Sequence, residues 1–188
     1  MQKYMYNSWE ELKNNCMSCT KCKLCETRTN VVFGVGNPNA DILFIGEGPG
    51  ENEDLQGEPF VGRAGKLLDK MLAAIDLERN KNIYIANIVK CRPPNNRNPE
   101  EDECKACMNY LRNQVILVKP EIIVLLGSVA LKHILGKEYG ITASRGKWIE
   151  KKGIKYMPTW HPAALLRDEG KKIDFIKDLQ LVERELNK

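Results

Sequence analysis

The chain has 188 residues, of which 43% are hydrophobic, and its formal net charge of +4 is compatible with a polyanionic partner without requiring one. This length and apolar content predict a single domain over residues 1–188 and disfavour a second full domain. No segment approaches the roughly 18 consecutive apolar residues of a membrane span, and residues 1–9 lack the apolar core of a signal peptide, so we expect a cytoplasmic protein with no membrane partner.

Helix and strand signals alternate along the first part of the chain. Ser8-Trp9-Glu10-Glu11 has the S-x-x-E form of a capping box, which predicts a short helix that runs into a cysteine-rich segment, 16–25. The apolar run Asp41–Ile45, closed by Gly46, predicts a buried strand. Residues 64–75 carry apolar side chains at helical spacing and predict a second helix.

The rest of the chain continues this alternation. In chain order it predicts a strand at 83–87, an irregular Pro- and Asn-rich segment at 91–98, a helix capped by Asn98 with Pro99 as its first residue and ending near 118, a strand at 122–126, a helix at 128–135, a hairpin of 147–152 with 155–159, and a final helix at 173–186. Alternating strands and helices predict an α/β fold, a three-layer α/β/α sandwich with a central, mainly parallel sheet. The loops at the carboxyl ends of its strands are the expected functional site.

The chain contains seven cysteines, an odd number that a disulfide framework in a reducing compartment does not explain. Four of them recur at every third position, and two thiolates at C-x-x-C spacing can bind one metal centre that a distant pair completes. The spacing leaves a [4Fe–4S] cluster and a structural zinc ion open, and it does not select the four ligands. We interpret Cys104 as a small buried apolar residue. The other six are Cys16, Cys19, Cys22, Cys25, Cys91 and Cys107.

A glycine-rich segment, Gly46-Glu-Gly-Pro-Gly50, follows the first predicted strand. Glycine lets backbone amides approach an anion, so a phosphate-binding turn is one interpretation. However, the segment around Lys66 is not a Walker motif, because the lysine is followed by leucine and the first glycine is missing. Five carboxylates from Glu47 to Glu58 would also repel phosphates. A nucleotide-phosphate hydrolase is therefore disfavoured, and a tight loop with solvated acids is the simpler alternative.

Four segments together form a pattern more specific than any one of them: Gly46-Glu-Gly-Pro-Gly50, Gly57-Glu-Pro-Phe-Val-Gly62, Asn87-Ile-Val-Lys-Cys-Arg-Pro-Pro-Asn-Asn-Arg97 and His161-Pro-Ala-Ala-Leu-Leu166. In this order they resemble family 4 uracil-DNA glycosylases, and the resemblance extends from about Cys19 to Arg167. It implies an α/β/α sandwich with a [4Fe–4S] cluster that acts in DNA repair by releasing uracil from DNA. No lysine is positioned for Schiff-base chemistry, so we expect a monofunctional hydrolase that leaves an abasic site.

The resemblance also implies a set of cluster ligands. The family's C-x-x-C pair lies at a fixed distance before the segment equivalent to Val31-Val-Phe33, and two later cysteines complete the set. A shift by one C-x-x-C step is the alternative assignment. The implied ligands are Cys19, Cys22, Cys91 and Cys107. The additional cysteines are Cys16, Cys25 and Cys104.

Three residues match family positions that hold a uracil turned out of the duplex. An asparagine amide offers one donor and one acceptor to O4 and N3–H of uracil, and Asn87 resembles the base-reading asparagine. Phe60 matches the stacking aromatic, and His161 matches the histidine that donates a hydrogen bond to uracil O2. From the residues alone, Asn87 is a strand-end turn residue. A lone phenylalanine is more often a core residue, but the turn residues that flank Phe60 favour a loop position. The roles in uracil binding therefore rest on the resemblance.

Water must complete the reaction at the sugar carbon, and a carboxylate can orient it there. Glu47 is our first candidate for this role and Glu53 our second. Gly48 is expected in the substrate site; the fast enzymes of the wider superfamily carry aspartate at its position. Glycine there agrees with family 4, and it leaves the identity of the water-activating group open.

The phosphates of DNA require cations, and Lys90, Arg92 and Arg97 lie in one predicted loop that contains no acid. Arg167 is a further candidate, with solvated surface charge as the alternative. A cluster bound through Cys91 would fix this loop, which assigns the cluster a structural rather than a redox role.

A competing, non-enzymatic interpretation is a non-catalytic iron–sulfur or zinc DNA-binding module. It would use the cysteines and the basic loop, but it would have no need for Asn87, Phe60 and His161 together. The expected partner is uracil-containing DNA, and a monomer is expected. A sliding clamp is conceivable as a protein partner, although no recognisable tail motif supports one.

Overall fold

The computed structural model describes residues 6–188. Within that range no helix combines the length and the apolar character that crossing a membrane requires. Two short 3₁₀ turns lie at Lys23–Glu26 and Pro94–Asn96. The other elements, in chain order, are α1 (Trp9–Met17), β1 (Val35–Gly36), β2 (Ile42–Gly46), α2 (Glu51–Gln56), α3 (Arg63–Ala73), β3 (Ile83–Asn87), α4 (Glu101–Val118), β4 (Ile122–Leu126), α5 (Gly127–Ile134), α6 (Ile141–Ser144), β5 (Ile149–Lys151), β6 (Ile154–Thr159), α7 (Pro162–Arg167) and α8 (Gly170–Leu186).

The strands form one sheet with the order β1-β3-β2-β4-β6-β5. The four central strands are parallel, while β1 and β5 pair antiparallel at the two edges. The register aligns Gly46 with Asn87 and Leu126 with Thr159. The carboxyl ends of the central strands therefore lie together, and the loops that follow them share one side of the molecule. The predicted mainly parallel sheet is confirmed.

Successive strand residues enter two separate cores, because side chains alternate between the faces of a sheet. On β2, Leu43 and Ile45 pack with buried residues of α1, α4 and α5. Ile42 and Phe44 pack on the opposite face with α3, α7 and α8. Helices cover both faces, which is why the central strands are continuous apolar runs rather than alternating ones. The predicted three-layer α/β/α sandwich is confirmed.

The two predicted helix caps have different outcomes. Ser8 caps α1 as predicted, and its Oγ accepts a hydrogen bond from the Glu11 backbone N–H at 3.1 Å. Asn98 does not cap α4, and that prediction is wrong. The cap is Glu100, whose side chain accepts from the backbone of Glu103, while Glu103 Oε2 accepts from the Glu100 N–H at 2.7 Å. This reciprocal box satisfies two free N–H groups and moves the helix start beyond Pro99.

The sequence pattern does not predict β1, α2, α6 or α7. These elements have two to six residues, too few for a helical or strand period to become visible. Two of them bear directly on the expected site, since α2 follows the glycine-rich segment and α7 begins one residue after His161.

Candidate active site

The loops after the central strands enclose a cavity of about 570 Å³. A cavity of this size is within the range of small-molecule sites. It brings together eight of the residues singled out from the sequence, and they come from five separate segments of the chain. These residues are Glu47, Gly48, Glu53, Phe60, Asn87, Arg97, His161 and Arg167.

Asn87 is the last residue of β3 and is buried. The β2–β3 ladder continues beyond it, because the Ile88 N–H donates to the Gly46 carbonyl at 2.9 Å, so the backbone around Asn87 is fixed. Its side-chain Oδ1 has no hydrogen-bond partner within residues 6–188. A buried carbonyl oxygen left unpaired costs roughly 1–3 kcal/mol. The oxygen is therefore available to an N–H group that enters the cavity.

Gly46 explains how the Asn87 amide and the Phe60 ring come to lie side by side. A Cβ atom at Gly46 would lie 2.5 Å from Asn87 Oδ1 and 2.6 Å from Phe60 Cζ, closer than van der Waals contact allows. Only glycine leaves room for both side chains at this point of β2. The sequence pattern indicated Gly46 only as the end of a strand and the first residue of the glycine-rich segment, not as the residue that makes room for these two side chains.

Phe60 has a left-handed backbone with φ of +54°, which is strained for a residue other than glycine. Two side chains hold the turn. Arg79 Nη1 donates to the Pro59 carbonyl at 2.8 Å and Nη2 donates to the Phe60 carbonyl at 2.7 Å. On the other side, the Val61 N–H donates to Glu53 Oε1 at 2.9 Å. These bonds fix the direction of the Phe60 ring.

His161 lies next to that ring, with 5.6 Å between the ring centroids and 34° between the planes. Its Nδ1 accepts a hydrogen bond from the Ala163 N–H at 3.1 Å, so in the neutral imidazole the proton is on Nε2. Burial lowers the pKa of His161 to about 4; the positive charge of Arg167 lowers it further, and Glu53 opposes the shift. At neutral pH the residue is therefore an uncharged hydrogen-bond donor.

The two candidate carboxylates differ in their surroundings. Burial raises the pKa of Glu47 above its ordinary value. Glu53 is engaged in structure, since its Oε1 accepts from the Val61 N–H and also from the Gly62 N–H at 2.8 Å. Glu53 thus stabilises the Phe60 turn. The burial of Glu47, which raises its pKa, is typical of a carboxylate with a catalytic role.

A second, smaller cavity lies between α1, the segment that follows it, α4 and the loop after β3. Within this cavity Arg28 Nη1 donates to Cys91 Sγ at 3.3 Å and to the Cys19 carbonyl at 2.7 Å. The Lys90 backbone N–H donates to Cys107 Sγ at 3.4 Å. Cys104 is buried elsewhere in the core and does not line the cavity. The cysteines on its walls are Cys16, Cys19, Cys22, Cys25, Cys91 and Cys107.

The thiols in this cavity influence one another. Burial raises the pKa of Cys91, Arg28 lowers it, and Cys22 and Cys19 raise it. Burial also raises the pKa of Cys107 to about 12, with Cys91 and Cys22 adding to the shift. The thiols line the cavity walls, and among residues 6–188 no three Cys, His, Asp or Glu side chains are placed to hold a single metal ion.

Residues 33–182 match the profile of the Uracil DNA glycosylase superfamily. The chain belongs to this superfamily. It is 52% identical to the type-4 uracil-DNA glycosylase of Sulfurisphaera tokodaii, in an alignment that covers 85% of this chain and 76% of that protein. The type-4 enzymes of Archaeoglobus fulgidus and Thermotoga maritima are each 46% identical to it, with 85% and 87% of this chain and 83% and 86% of theirs aligned. The resemblance to family 4 is confirmed.

Lys90 was predicted to contact DNA in this uracil-DNA glycosylase superfamily member, but it does not lie at the surface. Its side chain is 1% exposed, and its Nζ donates to the Asn87 carbonyl at 2.9 Å and to Gln114 Oε1 at 2.6 Å. Burial lowers the pKa of Lys90 to about 8, and Cys16, Cys107 and Cys91 oppose the shift. The prediction is wrong because the loop turns this lysine into the core, away from the surface where DNA could bind.

The predicted arginines are differently engaged. Arg97 forms two hydrogen bonds with the fully buried Glu103, from Nη1 to Oε2 at 2.9 Å and from Nη2 to Oε1 at 2.7 Å. Arg92 donates from Nε to Asn96 Oδ1 at 2.7 Å. Arg167 is exposed at the end of α7 on the cavity rim. Arg63, the first residue of α3, is also exposed on this rim, and the sequence pattern gave no sign of it.

Proposed function

We propose that this protein hydrolyses the N-glycosidic bond of deoxyuridine in DNA, releasing uracil and leaving an abasic site. The observation that carries the proposal is the buried, unpaired Oδ1 of Asn87 in a cavity whose walls include the Phe60 ring and the His161 imidazole. The type-4 relatives carry this activity in their names. One chain supplies all of these groups, which supports action as a monomer.

The cavity suits uracil rather than cytosine. A base in a duplex must first be turned out of the stack before an enzyme can read it. Uracil then offers N3–H to Asn87 Oδ1 and accepts from the Asn87 amide N–H at O4, whereas cytosine has an acceptor at N3 and an amino group at C4. A mismatched edge would leave the Asn87 oxygen unpaired, so cytosine is rejected. Phe60 provides the flat apolar surface on which the ring stacks.

The chemistry consists of placing charge and dipoles at both ends of the breaking bond. Negative charge develops on the departing uracil, and the Nε2–H of neutral His161 donates to its O2. Positive charge develops at the sugar carbon, where the Glu47 carboxylate stabilises it and orients the attacking water. In this assignment Glu53 is a positioning residue that holds the Phe60 turn rather than the water.

The DNA strand is bound by cations on the cavity rim. We assign phosphate contacts to Arg167 and Arg63, which are exposed there, and to the exposed parts of Arg92 and Arg97. Phosphate contacts supply affinity and register without sequence information, which a repair enzyme that acts at any uracil requires.

We also propose that Cys19, Cys22, Cys91 and Cys107 hold a [4Fe–4S] cluster. The donor set fits, because thiols line one cavity and two of them accept N–H···S hydrogen bonds, Cys91 from Arg28 and Cys107 from the Lys90 backbone. Ligands spread over a cavity suit a cluster, in which each thiolate binds a different iron, better than one zinc ion. When bound, the cluster links the N-terminal segment, α4 and the loop after β3, so its contribution is structural.

An oligonucleotide with a single uracil tests the proposed function. Release of uracil, followed by alkaline cleavage at the abasic site, is expected for U and not for C. Asn87→Ala should lower the rate about a thousandfold, because the base edge loses both of its partners, while the affinity for undamaged DNA stays nearly unchanged. Asn14→Ala, on the exposed face of α1, is the matched control. Equal loss of excision and of undamaged-DNA binding would show that Asn87 does not read the base.

A further inference from the structure

The side chain of Lys90 connects the two cavities of the molecule. It lies on the wall of the cysteine cavity, and its Nζ donates at 2.9 Å to the backbone carbonyl of Asn87, the residue that faces the uracil cavity. Its second acceptor, Gln114 Oε1, belongs to α4, and Gln114 Nε2 donates to the Phe33 carbonyl at 2.8 Å. A single ammonium group thus fixes the backbone at the end of β3 to α4.

This ammonium lacks a carboxylate partner among the described residues. Its two acceptors are neutral, and it lies on the wall of the cavity that Cys16, Cys91 and Cys107 also line. A buried cation is retained in proteins when an anion compensates it. Four thiolates bound to an iron–sulfur core form a group of net negative charge, so a filled cysteine cavity supplies the anion that Lys90 needs.

We propose that Lys90 is a positioning residue for uracil excision, which compensates the charge of the thiolate-bound cluster and holds the Asn87 carbonyl so that the amide faces the base. This inference rests on the proposed function. It explains why a lysine in the basic loop is buried, and it gives the cysteine cavity a defined effect on the reaction. A shift of the Asn87 backbone by a fraction of an ångström would misalign the amide with the base edge.

A double-mutant cycle tests whether Lys90 acts through Asn87. Lys90→Met keeps the length of the side chain and removes its charge and its donors. We expect it to lower the single-turnover excision rate about tenfold in the wild-type background and less than about twofold in the Asn87→Ala background, with undamaged-DNA affinity unchanged. Lys132→Met, exposed on α5, is the matched control and should leave the rate unchanged.

The midpoint potential of the cluster, measured on DNA-free protein, gives a readout that a merely structural lysine would not move. Removing a nearby positive charge should shift the potential to more negative values in Lys90→Met. Lys90→Gln keeps a donor near Asn87 without the charge, so it should recover part of the rate but not the potential. If Lys90→Met does not fold, Lys90→Gln takes its place in the double-mutant cycle with Asn87→Ala.

Two results would overturn the proposal: equal rate losses in the wild-type and Asn87→Ala backgrounds, or an unchanged potential in both Lys90 variants. The wild-type assay separates this proposal from the proposed function. If wild-type protein with a full iron content releases no uracil, the proposed function fails, while the potentials still show whether Lys90 compensates the cluster.

Discussion

The two cavities of this protein lie on either side of one short segment, residues 87–91, and they are built in opposite ways. The uracil cavity is wide, and its wall includes Asn87 Oδ1, which has no hydrogen-bond partner within residues 6–188, and Glu47, whose pKa is raised by burial. The cysteine cavity is small, and its thiols are supported by hydrogen bonds from Arg28 and the Lys90 backbone.

This difference assigns catalysis to the uracil cavity and structural support to the cysteine cavity. Unpaired polar atoms cost stability, and they are retained where a ligand will satisfy them. Thiols that already accept hydrogen bonds from the protein are suited to holding a bound group in place rather than to binding a substrate. Asn87 and Cys91 are only four positions apart. A shift of the backbone at one cavity therefore moves backbone atoms at the other. A change on the uracil side should therefore affect rate more than stability, and a change on the cysteine side should affect stability more than rate.

Gly46→Ala should give the largest loss of rate. Its methyl group would enter the space of both Asn87 Oδ1 and Phe60 Cζ, so we expect excision to fall about a thousandfold, as for removal of the amide itself. The backbone at Gly46 is extended and accepts alanine, so the loss of stability comes from overpacking alone; at about 1–3 kcal/mol, it should lower the melting temperature by roughly 2–12 °C.

Gly140→Ala is the matched control, because a Cβ atom there meets nothing within 4 Å. Rates are measured under single-turnover conditions and melting by circular dichroism. If Gly46→Ala lowered the excision rate only through loss of folded protein, changes at the uracil cavity would not affect rate more than stability, and the distinction between the two cavities would fail.

Glu47→Gln should lower the rate about a hundredfold, within the usual range for loss of a general base. Burial raises the pKa of Glu47, so its reactive carboxylate form is lost as pH falls through a value above that of an ordinary glutamate. His161, with a pKa of about 4, stays neutral over that interval and does not contribute to it. The wild-type pH profile of kcat/KM should therefore have an acid limb that Glu47→Gln abolishes. An unchanged limb in the variant would assign it to another group.

Much of the fold could be predicted from the sequence, because fully buried parallel strands are uninterrupted apolar runs. Residues 83–87 and 122–126 were predicted with the observed bounds. Within the site, Phe60, Asn87 and His161 were predicted through their family segments, and the structure confirms that their side chains line one cavity. The topology explains why, since the carboxyl ends of parallel strands bring distant segments together.

What the sequence did not reveal depends on the direction of individual side chains. Lys90 and Arg97 lie in one basic stretch, but the side chain of Lys90 is turned into the core. Arg97 is paired with the buried Glu103, six residues further along the chain. The support that Arg79 gives to the Phe60 turn joins residues far apart in sequence. Charge in a loop predicts a polyanion contact only when the side chain is known to face solvent.

Cys91→Ala should have the smallest effect on rate, about tenfold, and the largest effect on iron content. Losing a ligand loosens the loop that carries Lys90, and because metal binding is part of the folding free energy, the melting temperature should fall by roughly 10 °C. Cys104→Ala is the matched control: it removes another buried sulfur, one that does not line the cysteine cavity, so iron content should stay at the wild-type level. Iron and sulfide analysis, absorption near ~400 nm and thermal melting measure these effects. If the two alanine variants retain the same amount of iron, Cys91 is not a ligand, and the cysteine cavity does not support the uracil cavity through residues 87–91.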